Sequence, residues 1–256
     1  MTLIIGIKCK NGIVLGADGG ATLGTARIKT VMQPAKKLAI VSESMVIGVS
    51  GHVGLGQQFE FAVRRTLQKP EFFQQEPIEA GITIGKALWS FAQTLWQRAP
   101  IIRASNPILA ETITSFQVAI ALIISDKPYL FQFDRDCSPE KASDLPFFAI
   151  GSAQEAAENF LAFVRLVTWK DTIPSLSLGR FVVFWTLEHC IRTSPGGISE
   201  PKQIVVVENG EKGWQARELL PLEITDHFNM VTVMEERIEE FVQELRHPKE
   251  KVIPIP

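Results

Sequence analysis

Thr2, Asp18, the pair Lys36-Lys37 and Gly51 follow one another along the first fifth of the chain, each at the end of a strand-like run. Together they are the groups an acyl transfer requires. A threonine hydroxyl is a weak nucleophile until a base takes its proton. Thr2 follows Met1 directly, and threonine is small enough for routine methionine removal. Removal would free an α-amine with a pKa of roughly 7.7–8.0, able to accept the hydroxyl proton near neutral pH. One residue would then supply both nucleophile and base. A lysine, Lys36 or Lys37, would favour the alkoxide, and Asp18 could hold that lysine in place. Gly51, in "GVSGHVGLG" ahead of a helical pattern, could turn its N–H toward a developing oxyanion. Each residue also has an ordinary reading: a strand threonine, an Asp-Gly turn, a solvated strand end, a glycine-rich turn. Their joint order around Thr2 is what points to chemistry.

Other reactive side chains read as structural. His52 adjoins Gly51, but the scheme above needs no histidine. His189 and Cys190 are neighbours on a helical pattern and so point to different sides. Trp89, Phe91 and Trp96 read as core or as a subunit contact. The run Glu235, Glu236, Glu239 and Glu240 reads as a solvated helix face.

The elements that must position these groups follow from the pattern. Leu3, Ile5, Ile7 and Cys9 alternate with Ile4, Gly6, Lys8 and Lys10, and Asn11-Gly12 marks a hairpin turn. The return strand "IVLGAD" ends at Asp18. "KKLAIV" and "MVIGVSG" form a second strand pair. Helical spacing follows at 55–69, which Pro70 stops, and at 77–98, with Pro77 in the first turn. Residues 99–115 read as a loop. Strands return at "FQVAIALIISD", "YLFQFD" and "PFFAIGS". Two helices are predicted at about 153–168 and 175–192. "QIVVVENG" is the last clear strand, with a charged helix over 230–246 and a Pro-rich tail. This order predicts two antiparallel sheets packed face to face with helices outside, an α+β fold in a four-layer α/β/β/α sandwich.

The 256 residues are 46% hydrophobic with a formal net charge of -2, which disfavours a nucleic-acid partner. Cys9, Cys137 and Cys190 have no metal-ligand spacing and cannot all pair, which suits a reducing cytosol. No secretory signal is visible, and the apolar runs are too short to span a bilayer, so no membrane partner is expected.

With these residues in place, "TLIIGIKCKNGIVLGADGGATLG", "KKL", "GVSGHVGLGQ" and "FFAIGS" resemble the β-type subunits of the proteasome and their bacterial relative HslV, which are N-terminal nucleophile (Ntn) hydrolases. The length is similar to that of the bacterial β-proteasome homologues. The resemblance covers about residues 2–207, making 1–207 the hydrolase domain and 208–256 a C-terminal extension that packs on it or on a neighbouring subunit. It implies a cytoplasmic threonine endopeptidase with Thr2 as nucleophile, Asp18 orienting Lys37, the Gly51 amide as oxyanion donor, and Ser152 near the Thr2 amine. It implies that the main chains of Thr22 and Ser50 pair with an extended substrate, and that Ala21, Ala35, Ala39, Val49 and Val53 surround the pocket for the residue before the cleaved bond. It also implies stacked rings of six or seven identical subunits, taking peptides or unfolded proteins, with an ATP-dependent unfoldase as partner. Where proteasome subunits carry Asp-x-x-Ser-Gly-Gly, this chain reads "CIRTSPGG". Cys190 and Thr193 follow the HslV pattern instead. That likeness implies a structural cation such as Na+ on the backbone carbonyls of Leu187, Cys190 and Thr193; no organic cofactor is implied. A ring subunit without peptidase activity, and an Ntn amidase for a small molecule, are the alternative readings.

Overall fold

The computed structural model describes residues 2–24, 29–141, 146–193 and 197–246, with backbone alone at 21–24, 29–33 and 141. Met1, 194–196 and the tail 247–256 lie outside the described residues. The chain divides into two compact units, Met1–Leu219 and Leu220–Pro256.

The first unit holds two five-stranded antiparallel sheets. β1 (Leu3–Cys9) and β2 (Gly12–Ala17) form the opening hairpin. Its register pairs Cys9 with Gly12, so the turn residues are Lys10 and Asn11, one earlier than the Asn-Gly reading. Gly12 answers a packing demand instead: a Cβ there would lie 2.4 Å from the Val207 carbonyl oxygen on the neighbouring strand. β3 (Gly20–Gly24) and β4 (Lys29–Pro34) form a separate hairpin. β5 (Leu38–Ser42) and β6 (Met45–Ser50) lead into α1 (Val53–Leu67), a short 3-10 turn at Pro70–Gln74 and α2 (Pro77–Ser105). α3 (Pro107–Thr114), β7 (Gln117–Ile124), β8 (Lys127–Phe133), β9 (Pro139–Lys141) and β10 (Phe147–Gly151) follow. Then come α4 (Gln154–Val167), α5 (Leu176–Thr193), β11 (Gln203–Gly210) and β12 (Gly213–Glu218).

One sheet runs β10-β1-β2-β11-β12 and the other β5-β6-β7-β8-β9. Their facing surfaces bury Ile4, Ile13 and Leu15 from the first against Val46, Ala119 and Leu130 from the second. On the outer face of the second sheet, Phe59 and Val63 of α1 and Ile84 and Leu88 of α2 share a core with Ile47, Ile120 and Phe131. α4 and α5 contact β10, β1 and β2 of the first sheet. The predicted α/β/β/α sandwich is the architecture found.

The segment 99–115 departs from its loop reading. α2 continues through Pro100 to Ser105, and α3 follows after Asn106 alone. Asn106 Oδ1 accepts the Leu109 N–H at 3.0 Å, and Pro107 occupies the first helical turn, where a missing N–H costs nothing. Phe91 and Trp96 pack against the second sheet's outer core, and Trp96 Nε1 donates to the Arg135 carbonyl at 3.1 Å. Of the three aromatics noted in this helix, Trp89 is the exposed one. β12 pairs with β11 beyond residue 207, extending the first sheet to Glu218.

The second unit is built on α6 (Pro221–Arg246), nine residues longer at its start than the predicted helix over 230–246. The Leu220 N–H donates to Glu223 Oε2 at 2.8 Å, closing the first turn.

Candidate active site

The site forms where β1, β2 and β10 end together. Leu3 pairs with Gly151, and the Asp18 N–H donates to the Leu3 carbonyl at 3.2 Å. Thr2, Asp18 and Ser152 therefore converge although 150 residues separate the first from the last. The Ser152 N–H donates to the Thr2 carbonyl at 2.8 Å, and the Ser152 hydroxyl does so at 3.3 Å. The Thr2 N–H donates to Ser152 Oγ at 3.2 Å. Gly151 lets these strands meet: it sits at φ +102°, and a Cβ would lie 2.1 Å from the Thr2 carbonyl oxygen. The Gln117 side chain accepts the Gly151 N–H at 2.8 Å and holds it in place.

Asp18 is fully buried. Its Oδ1 accepts the Leu3 N–H at 2.8 Å, and its Oδ2 accepts the Gly20 N–H at 3.2 Å and the Ser199 N–H at 3.4 Å. Lys37 Nζ donates to Asp18 Oδ1 at 2.6 Å, with side chains 7% and 0% exposed. A buried carboxylate survives only with such donors around it. Burial holds the Lys37 ammonium below the ordinary lysine value of 10.5, and the Asp18 carboxylate opposes that shift. Lys36 has a different partner: its side chain is 78% exposed and its ammonium reaches Glu218 Oε1 at 3.0 Å, both residues also lining the cavity described next. The lysine beside Asp18 is thus Lys37, the one the resemblance singled out.

Gly51 follows β6 at φ +135°, a conformation suited to glycine; a Cβ would meet the Ser115 carbonyl oxygen and Phe116 Cβ at 2.9 Å. His52 caps α1, its Nδ1 accepting the Gly54 N–H at 3.2 Å. Thr2, Lys37 and Gly51 all line one cavity of about 590 Å³. Ala35, Ala39, Val49 and Val53 line it as well, four of the five pocket residues expected. The side chains of Ala21 and Thr22 lie outside the described residues, their backbone being in β3. Ser50 is the last residue of β6 and is half-buried.

Residues that sequence reasoning missed complete the surroundings. Glu60 and Arg64 also line the cavity, paired at 2.7 Å. Arg64 further donates to the Val41 and Ile40 carbonyls of β5 at 2.8 and 2.9 Å. At i, i+4 on a helix this pair reads as solvated surface, so nothing in the sequence marked it. Gln203, the first residue of β11, bonds the backbone at Lys37 and Leu38; a polar residue opening a strand gives no signal of that.

The cysteine alternative finds no geometry. Burial pushes the Cys190 thiol up to about 11 and those of Cys9 and Cys137 to about 12. His189 stacks on Phe160 with ring centroids 4.2 Å apart. Leu187, Cys190 and Thr193 all belong to α5. Ser194, Pro195 and Gly196 of the adjoining turn lie outside the described residues.

A family model described as "Proteasome subunit" matches residues 2–163. Among solved structures, a Gly-1 mutant of Anbu from Hyphomicrobium sp. strain MC1 superposes with a TM-score of 0.65 at 15% identity, covering 95% of this chain and 100% of that one. Anbu from Yersinia bercovieri, described as an ancestral beta-subunit, superposes with a TM-score of 0.65 at 14% identity, covering 96% and 98%. At this identity the likeness concerns the fold. No curated protein matches the chain.

Proposed function

The chain belongs to the proteasome subunit family, and from that premise we propose that it is a threonine peptidase acting through Thr2 once Met1 is removed. The observation that carries this reading is the buried Lys37–Asp18 pair, whose lysine opens into the same cavity as Thr2.

In the proposed reaction the Thr2 α-amine takes the hydroxyl proton, and Oγ1 attacks the scissile carbonyl carbon. The Lys37 ammonium favours the alkoxide, and the Gly51 N–H receives the oxyanion. The tetrahedral intermediate collapses as the amine's proton passes to the leaving nitrogen. The C–N bond breaks and an ester to Thr2 remains. The amine then deprotonates a water that attacks the ester, releasing the acid product and restoring the hydroxyl. Ser152 holds the Thr2 main chain during both steps. An extended substrate lies along the main chains of Thr22 and Ser50, as an added strand would.

The substrate is a peptide or unfolded protein. The walls formed by Ala35, Ala39, Val49 and Val53 favour a large apolar side chain before the cleaved bond. Glu60 with Arg64 and Lys36 with Glu218 are already paired along this wall, so a charge entering there would lose hydration and have to compete for its partner. The subunits form stacked rings of six or seven, with seven favoured, that enclose the sites in the cytoplasm and receive substrate from an ATP-dependent unfoldase. The backbone carbonyls of Leu187, Cys190 and Thr193 would hold a structural cation such as Na+, whose role would be to brace the end of α5.

A panel of fluorogenic peptides tests the reading. Leu or Phe before the cleaved bond should be turned over faster than Asp or Arg, and Thr2→Ala should abolish turnover. Full activity in purified Thr2→Ala protein would overturn the mechanism; preference for Asp or Arg would overturn the pocket assignment.

A further inference from the structure

We propose that Gln203 is a positioning residue for the Lys37 ammonium, holding the root of that side chain as Asp18 holds its tip. The inference rests on the peptidase reading above.

Among the described residues β5 is the edge strand of its sheet and pairs only with β6. At its start the backbone groups turned away from β6 need another partner, and one side chain supplies it. Gln203 Oε1 accepts the Lys37 N–H at 3.1 Å and the Leu38 N–H at 3.0 Å. Its Nε2 donates to the Leu38 carbonyl at 2.9 Å and to Glu218 Oε1 at 3.1 Å. A primary amide carries the same donor and acceptor as a peptide group, so it can replace one residue of a missing strand. Hydrophobic packing between the sheets would tolerate a small slide of β5; this grip resists it.

The location of the grip gives it a catalytic consequence. Gln203 lies opposite Ala17 in the β2–β11 pairing, one residue from Asp18. The root and tip of Lys37 are therefore both tied to the same end of the first sheet, from which Thr2 also emerges. Gln203 is absent from the cavity wall, so it acts through Lys37 and not on substrate.

A cation fixed near the Thr2 amine disfavours protonation of that amine and keeps it available as a base. With the root released, the ammonium spends more time further away. The amine's pKa then rises, and the acid limb of the rate profile moves to higher pH. A purely architectural role would lower the rate by the same factor at every pH.

The test uses the assembled protein with Gln203→Met, which keeps the size but lacks the amide, and Gln203→Asn, which is one methylene too short to reach. The rate of covalent labelling of Thr2 by a threonine-directed electrophile, and hydrolysis of a fluorogenic peptide, are followed against pH. The expected result is a kcat about tenfold lower at neutral pH, a KM within about twofold of the parent, and an acid limb displaced upward by about half a unit or more. Should Gln203→Met fail to fold, Gln203→Asn carries the same expectation. An unshifted limb in a folded variant would overturn the proposal, as would unchanged kcat. Thr2→Ala serves as the control: labelling that survives it would refute the peptidase reading itself, whereas its loss together with an unshifted Gln203 profile would refute only the role of Gln203.

Discussion

Lys36 and Lys37 are adjacent and chemically identical, yet the fold gives them opposite environments. Both stand just before β5, and one reaches Asp18 in the interior while the other reaches Glu218 at the surface. Lys37→Ala removes the cation beside the nucleophile and leaves a buried carboxylate short of a donor. Its expected cost is about 10²–10³-fold in kcat, the scale of losing one electrostatic stabiliser of an acyl-transfer transition state. Lys36→Ala breaks an exposed pair and should leave kcat within about twofold, since such pairs contribute about 0–1 kcal/mol. The pH profile of the parent adds a check of sign. The proposed chemistry requires protonated Lys37, whose pKa burial lowers, so the alkaline limb should fall below pH 10.5. A limb at or above 10.5, or a reversed order of the two alanine variants, would exclude Lys37. At this scale Thr2, Asp18, the lysine pair and Gly51 were legible as a group because each stands at the end of a strand-like run. Gln203, Gln117, Glu60 and Arg64 were not, because their parts depend on which strands and helices meet across the fold.

At the scale of elements, the meeting of β1 with β10 is the critical joint. Gly151→Ala places a methyl group 2.1 Å from the Thr2 carbonyl oxygen at a φ of +102°. Backbone must move to relieve that, and Thr2 is the backbone in question. We expect a destabilisation of at least about 1 kcal/mol, from the left-handed backbone alone, read as a lower Tm. We expect a larger proportional loss of activity than of folded protein. Activity that falls only as the folded fraction falls would mean that the joint does not position Thr2. Sequence pattern recovered the central strands and the helices on both faces because their apolar periodicities are strong. It missed β3 and β4, where glycines and polar residues blur any alternation, and β12, whose strand buries little on either face. It also took 99–115 for a loop and overlooked Asn106-Pro107 as a cap followed by a first turn.

For the molecule as a whole, α6 presents Ile238, Phe241 and Leu245 at a spacing of three and four residues, 54%, 59% and 64% exposed. That is the spacing of a helix-docking seam. If neighbouring subunits cover it in the ring, Ile238→Glu and Phe241→Glu should shift the assembly toward smaller species in light scattering while the monomer's circular dichroism stays unchanged. An unaltered mass would remove α6 from the assembly contacts. The central claim concerns the other end of the chain: Thr2 is at once nucleophile and base, which requires its nitrogen to be a free amine. The most direct measurement is the mass of the N-terminal peptide before and after exposure to a threonine-directed electrophile. The account expects a peptide beginning at Thr2 that gains the full mass of the inhibitor, with no gain in Thr2→Ala. A peptide that retains Met1, or an adduct found on any other residue, would contradict it.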